Sequence, residues 1–192
     1  LSMKNYMKSL SEIEPKIEQV KKLVESGDKS DIKHNANGGN SILLVCPPEE
    51  ENLYIEASRK ILSENVFEMI DINRLLIGFI GQHKEELLEK FNLLQSSVHQ
   101  LFKSPPEEEE VDFFKTIIEN IDKTFRAGKV PFLYGVGSLY GTGIDNIQII
   151  ENERIMQAPL PLVILYPARD TKDKLMFLNS RPASKYRCMI IN

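Results

Sequence analysis

Two short runs of this chain are apolar through their interiors: Ser41-Ile42-Leu43-Leu44-Val45-Cys46 and Leu162-Val163-Ile164-Leu165-Tyr166. A strand with one wet face alternates apolar and polar side chains, whereas a continuous apolar run must be covered on both faces. Such strands need helices above and below the sheet, and the intervening sequence offers them. Leu53, Ala57, Ile61 and Leu62 repeat at helical spacing after Glu49-Glu50-Glu51, three carboxylates suited to the positive end of a helix dipole. Phe114, Ile117, Ile118, Ile121 and Phe125 form a second stripe, ended by Gly128. Leu87, Leu88, Phe91, Leu94, Val98, Leu101 and Phe102 form a third, broken by Ser104-Pro105-Pro106.

Two further strands are expected, at Val66–Ile72 and at Val130–Tyr134. Short helical stretches are expected near Leu75–Ile80 and 145–152, and final strands at Leu175–Leu178 and Tyr186–Ile191. Strands alternating with helices imply crossover connections and a mostly parallel sheet. The expected fold is therefore a three-layer α/β domain over residues 41–192. Before it, Leu10, Ile13, Ile17, Val20 and Leu23 predict an amphipathic helix over 10–25, with Ser9 and Glu12 at capping-box spacing. Asp28–Asn40, ending Asn37-Gly38-Gly39-Asn40, reads as a flexible loop, so residues 1–40 form a helix-and-loop appendage. Phe91, Leu94, Val98, Ile117, Ile121 and Phe125 are expected to be buried where two helices pack on the sheet.

In open α/β sheets ligands bind outside the carboxyl ends of the strands. The first such end carries Pro47-Pro48 and three glutamates, not the glycines that let a backbone approach a pyrophosphate, so a dinucleotide site is disfavoured. Asp71, at the end of the second strand, suits a helix cap better than a ribose contact.

Gly135-Val136-Gly137-Ser138-Leu139-Tyr140-Gly141-Thr142-Gly143 is the most unusual segment. It is no phosphate loop of the Gly-Lys-Ser/Thr kind, and Val136 stands where a nucleophile elbow at Ser138 would need glycine. Two readings remain. Gly135, Gly137, Ser138, Gly141, Thr142 and Gly143 could present backbone N–H groups to a small molecule, nucleotide or phosphate. Alternatively, the glycines serve a tight strand exit. No complete catalytic set accompanies the loop, so an enzyme is not expected.

The chain has 24 Lys and Arg against 28 Asp and Glu, a net charge of −4, which disfavours a globally basic nucleic-acid binder. The charge is uneven. Arg169, Lys172, Lys174, Arg181, Lys185 and Arg187 are opposed after Pro167 only by Asp170 and Asp173. That segment fits contact with an acidic partner or nucleic acid, and equally a solvated sheet edge where lysines discourage strand pairing. Glu107–Glu110 reads as a solvated helix start, because consecutive acids on a helix point in different directions. His34, His83 and His99 show no ligand spacing with Cys46 or Cys188, so neither a metal nor another cofactor is expected. The two cysteines sit in apolar runs and read as buried free thiols of a reducing cytoplasm. No run approaches the roughly 20 apolar residues of a membrane span, and Leu1–Leu10 lacks the apolar core of a secretory signal.

Several of these segments together resemble one family. They are Pro47-Pro48-Glu49-Glu50 after the first strand, Met69-Ile70-Asp71-Ile72-Asn73, and Leu133-Tyr134-Gly135-Val136-Gly137-Ser138-Leu139-Tyr140. Pro161–Pro167 with Leu175-Met176-Phe177, and the terminal Tyr186-Arg187, complete the set. In order and spacing the chain resembles the BrxB-type proteins of bacteriophage-exclusion (BREX) defence systems. Gly141, Ala168 and the Lys185–Cys188 stretch depart from that pattern, as in a divergent branch. The resemblance implies a small cytoplasmic, non-enzymatic component or adaptor of a multi-protein defence complex. Its partners would be a PglZ-type protein and an ATPase component, with no cofactor. The family offers no catalytic residues to carry over.

Overall fold

The computed structural model describes residues 3–27, 29–94, 97–105, 112–171, 174–182 and 187–192. Five parallel strands form the centre of the sheet: β1 (Ser41–Cys46), β2 (Phe67–Asp71), β3 (Val130–Tyr134), β4 (Leu162–Thr171) and β7 (Met189–Ile191). Their spatial order is β2-β3-β4-β1-β7. β1 is the inner strand that the unbroken apolar run demands: Ser41 pairs with Leu162 and Cys46 with Pro167 on one side, and Ile42 pairs with Met189 on the other. All six residues of β1 are buried. β4 outruns its apolar stretch beyond Pro167, and its extension pairs antiparallel with β5 (Lys174–Phe177), which pairs with β6 (Arg181–Pro182).

From β1 the chain crosses the sheet to β2, at the far edge, and then returns stepwise through β3 and β4 to β7. Right-handed connections in opposite directions put the helices on opposite faces. On one face α3 (Glu51–Ile61) packs beside α1 (Met3–Glu25), and α2 (Lys29–Asn35) lies against β7. There Ile13, Ile17, Val20, Ile32, Tyr54 and Ala57 share a core with Ile42, Leu44, Val163 and Leu165. On the other face lie α4 (Ile72–Gln82), α5 (Lys84–Leu94), α6 (Phe113–Arg126), α7 (Asn146–Ile150) and α8 (Glu153–Met156). Phe79, Ile117, Ile121, Ile149 and Ile155 meet Leu43, Ile164 and Tyr166 there.

Several local expectations hold in detail. Asp71 caps α4, its Oδ1 accepting the Arg74 N–H at 3.1 Å. The α6 cap is not one of them: Asp112 accepts from Lys115 N at 2.6 Å, and its second oxygen accepts the Ser104 N–H at 2.8 Å. Ile117, Ile121 and Phe125 are buried as the stripe requires.

Three expectations need correction. Residues 29–35, read as flexible loop, form α2, and Ile32 and Ala36 are buried one turn apart. Where the Asn37–Asn40 turn follows, a Cβ on Gly39 would lie 1.9 Å from the Arg187 carbonyl oxygen, so only glycine lets these backbones meet. The first helix begins at Met3 rather than at residue 10, so Ser9 and Glu12 lie inside it and form no cap. The long stripe over 87–102 is not one helix. α5 stops at Leu94, and Val98–Leu101 is a separate 3-10 turn. Phe91 is exposed and Leu94 only half-buried, against expectation; the Val98 side chain and the acidic run Glu107–Glu110 lie outside the described residues.

Candidate functional site

The carboxyl ends of β1, β2 and β3 meet around a half-buried carboxylate. Pro47 and Pro48 end β1, a 3-10 turn covers Pro48–Glu50, and Glu51 begins α3. This places Glu51 beneath the glycine-rich loop, where its Oε1 accepts the Gly135 N–H at 3.1 Å. Burial pushes the Glu51 carboxyl up, the Gly135 N–H pulls it down, and the nearby Asp71 carboxylate pushes it up again; the net is a raised value. Gly135 itself has φ +69, and a Cβ there would stand 3.3 Å from Asp71 Oδ1.

Beyond Gly135 the loop folds onto itself. Ser138 N donates to Gly135 O, Tyr140 N to Gly137 O, and Thr142 N to Leu139 O, each at 3.0–3.1 Å. The Thr142 hydroxyl donates to Leu139 O at 2.7 Å and accepts from Ile144 N at 3.2 Å. Gly137 packs on Leu178, Gly141 faces open space, and Gly143 lies against the backbone of His99, where a Cβ would come within 2.8 Å of His99 Cβ. The six predicted loop residues are thus strung along one strand exit rather than gathered round a cavity. The donors of Gly135, Ser138, Tyr140, Thr142 and Ile144 are all committed to the chain itself. A phosphate at Gly135 would displace Glu51 and lie against Asp71.

The crevice between the ends of β1 and β4 is lined by Lys16, Val45, Pro47, Glu49, Ala168, Arg169 and Asn192. It encloses about 280 Å³, below the usual range for a small-molecule site. Arg169 bonds Glu49 there, joining the strand-end turn of β1 to the extension of β4. Of the predicted basic surface, Arg169 is therefore paired and Arg187 is exposed. Lys174 and Arg181 start β5 and β6, with side chains outside the described set; Lys172 and Lys185 lie outside the described residues.

Both cysteines are free and buried. Burial pushes the Cys188 thiol up to about 12 and raises Cys46 further, with Glu51 and Glu50 adding to the effect at Cys46. Both shifts favour the protonated thiol, the less nucleophilic form. Among the described residues no group of three His, Cys, Asp or Glu side chains could hold a metal ion, and no helix is long and apolar enough to cross a membrane.

The most conspicuous surface lies elsewhere. On α4 and α5, Ile77 is 64% exposed, Leu88 58%, Phe91 47% and Leu93 83%. α5 has no buried residue at all. A signal for this was present: Leu87, Leu88, Phe91, Leu93 and Leu94 spread around more of the helix than one core-facing stripe can cover.

The chain matches no family model, no curated protein and no solved structure.

Proposed function

We propose that this chain is a non-enzymatic binding component, an adaptor that holds other proteins, and that it serves a BREX-like phage-defence complex in the cytoplasm. The observation that carries the adaptor reading is the exposure of Ile77, Leu88, Phe91 and Leu93 on two consecutive helices. Large apolar side chains held in water at this density mark contact surfaces for other proteins. The strand ends support the same reading, because prolines, Glu51 and the Glu49–Arg169 pair occupy the places where an α/β enzyme holds its ligand. The defence setting rests on the resemblance of the strand-end segments. It implies a PglZ-type protein and the ATPase component as the partners to look for.

Tagged protein expressed in its native host, wild type against a Phe91→Asp/Leu93→Asp double variant, tests the reading. Both positions are exposed, so the double variant keeps its fold. Co-purification of defence-system proteins with the wild type, and their loss from the variant, is the expected result. Retention of the same partners by the variant, or magnesium-dependent nucleotide turnover by the purified protein, would overturn it.

A further inference from the structure

Among the described strands β2 ends the sheet, with a strand neighbour on one side. The Val130 N–H donates to the Val66 carbonyl at 2.8 Å, which fixes the parity of the strand: the main-chain groups of Val66, Glu68 and Ile70 turn toward β3. Those of Met69 turn the other way. No described strand pairs on that side, so the Met69 N–H and C=O are unpaired within the sheet. Unlike the edges that natural sheets blunt with proline or a bulge, β2 carries neither.

Beside this edge a groove of about 630 Å³ runs between α4 and α6 over β2. Ile70, Leu75 and Phe79 give it an apolar floor, and Gly78 keeps its α4 wall low. Its charges are not balanced. Glu68 is paired with Lys129 at 3.3 Å and Asp71 caps α4, so both acids are engaged. Arg74 and Lys123 are exposed at the groove and make no ion pair with a described residue.

We propose that the β2 edge and the α4–α6 groove accept an extended, acidic peptide segment of a partner protein, which adds to the sheet as a strand. Main-chain bonds to Met69 supply sequence-independent affinity, alternate apolar side chains enter the groove, and acidic ones meet Arg74 and Lys123. This deepens the adaptor reading and rests on it, but it uses a different face of α4 from the one bearing Ile77.

Gly78 provides the test. It is helical, and an added Cβ there meets nothing within 4 Å, so Gly78→Trp fills the groove without strain in the fold. Random peptides of roughly eight residues, a little longer than a typical strand, are selected by display on the full chain. The expected winners alternate apolar with acidic residues. Their binding slows hydrogen exchange at the Met69 amide and weakens about tenfold or more in Gly78→Trp and in Arg74→Glu/Lys123→Glu. Winners without acids, equal affinity for Gly78→Trp, or an unprotected Met69 amide would overturn the proposal. Native-host partners that survive Gly78→Trp but not Phe91→Asp/Leu93→Asp would overturn the groove alone. Peptide binding of the expected kind, with no native partner on either variant or wild type, would leave the groove and remove the adaptor reading.

Discussion

Asn40 is the residue whose loss should be felt furthest from its own position. It is buried between α2 and β1, and its Nδ2 donates to three carbonyls: Ile155 at 2.9 Å, Ala158 at 3.1 Å and Leu160 at 2.9 Å. Its own carbonyl accepts the Leu162 N–H at 3.0 Å, which starts β4 beside β1. One amide with two hydrogens therefore holds the whole turn between α8 and β4. Asn40→Ala takes the Asn40 donor from the half-buried Ala158 and Leu160 carbonyls, whereas Ile155 O keeps the Ala158 N–H at 3.2 Å. At about 1 kcal/mol for each half-buried group, the low end of the range for a stranded acceptor, the loss is about 2 kcal/mol.

Urea unfolding followed by far-ultraviolet circular dichroism measures it, as a fall in the midpoint at constant slope. Asn40→Asp makes a sharper test. An ionised aspartate has no donor and faces carbonyl oxygens, so folding raises its pKa. The proton-bound form is favoured in the folded state, and the variant's stability is lost as pH rises through that raised value. At pH 7 it should be at least as unstable as Asn40→Ala, and it should recover relative to wild type as pH falls toward 4. A loss below about 1 kcal/mol for Asn40→Ala would refute the reasoning, since water would then satisfy these carbonyls. So would an Asn40→Asp variant that weakens further as pH falls.

Three other outcomes follow from described contacts. Ile121→Ala, at a fully buried position of α6, should cost about 2–5 kcal/mol in the same unfolding assay. Glu51→Gln should raise the melting temperature at pH 7: the carboxyl is raised by burial and by Asp71, so ionised Glu51 weakens the fold as pH climbs past its raised pKa, whereas Gln can still accept the Gly135 N–H. The gain should vanish below the ordinary carboxylate range, which calorimetry across pH would show. Iodoacetamide at pH 8 should leave Cys46 and Cys188 unmodified in the native protein and alkylate both once urea is added, read by mass spectrometry.

The strands were legible because burial on both faces leaves a mark no helix surface shares. β1, β3 and β4 appear within a residue or two of their apolar runs, apart from the tail of β4 past Pro167. α6 was legible because Ile117, Ile121 and Phe125 recur at one-turn spacing on a helix that is polar elsewhere. α2 was not. Among its described side chains only Ile32 and, just beyond, Ala36 face the core, too few for a period to show among the surrounding glycines and asparagines. The stripe over 87–102 misled for a different reason: periodicity reports which side of a helix is apolar, not whether anything covers it. At the strand ends the glycines of 135–143 were visible, but their partner was not. Glu51 lies 84 residues away and reaches Gly135 only because β1 and β3 flank β4.

The strand order also fixes a timetable for synthesis. β1 is among the first strands to be made, yet both of its neighbours, β4 and β7, lie about 120 residues or more further along the chain. At about 5–20 residues per second, β1 waits roughly 6–24 s before β4 exists. Through that interval β1 has helices to lean on but neither of its two strand partners. β2 waits as well, until β3 is made, and the sheet then fills inward from its far edge, β3 after β2 and β4 after β3. An inner strand of the finished molecule is thus the longest-exposed strand of the growing one, and this chain should depend heavily on whatever shields nascent apolar segments at the ribosome.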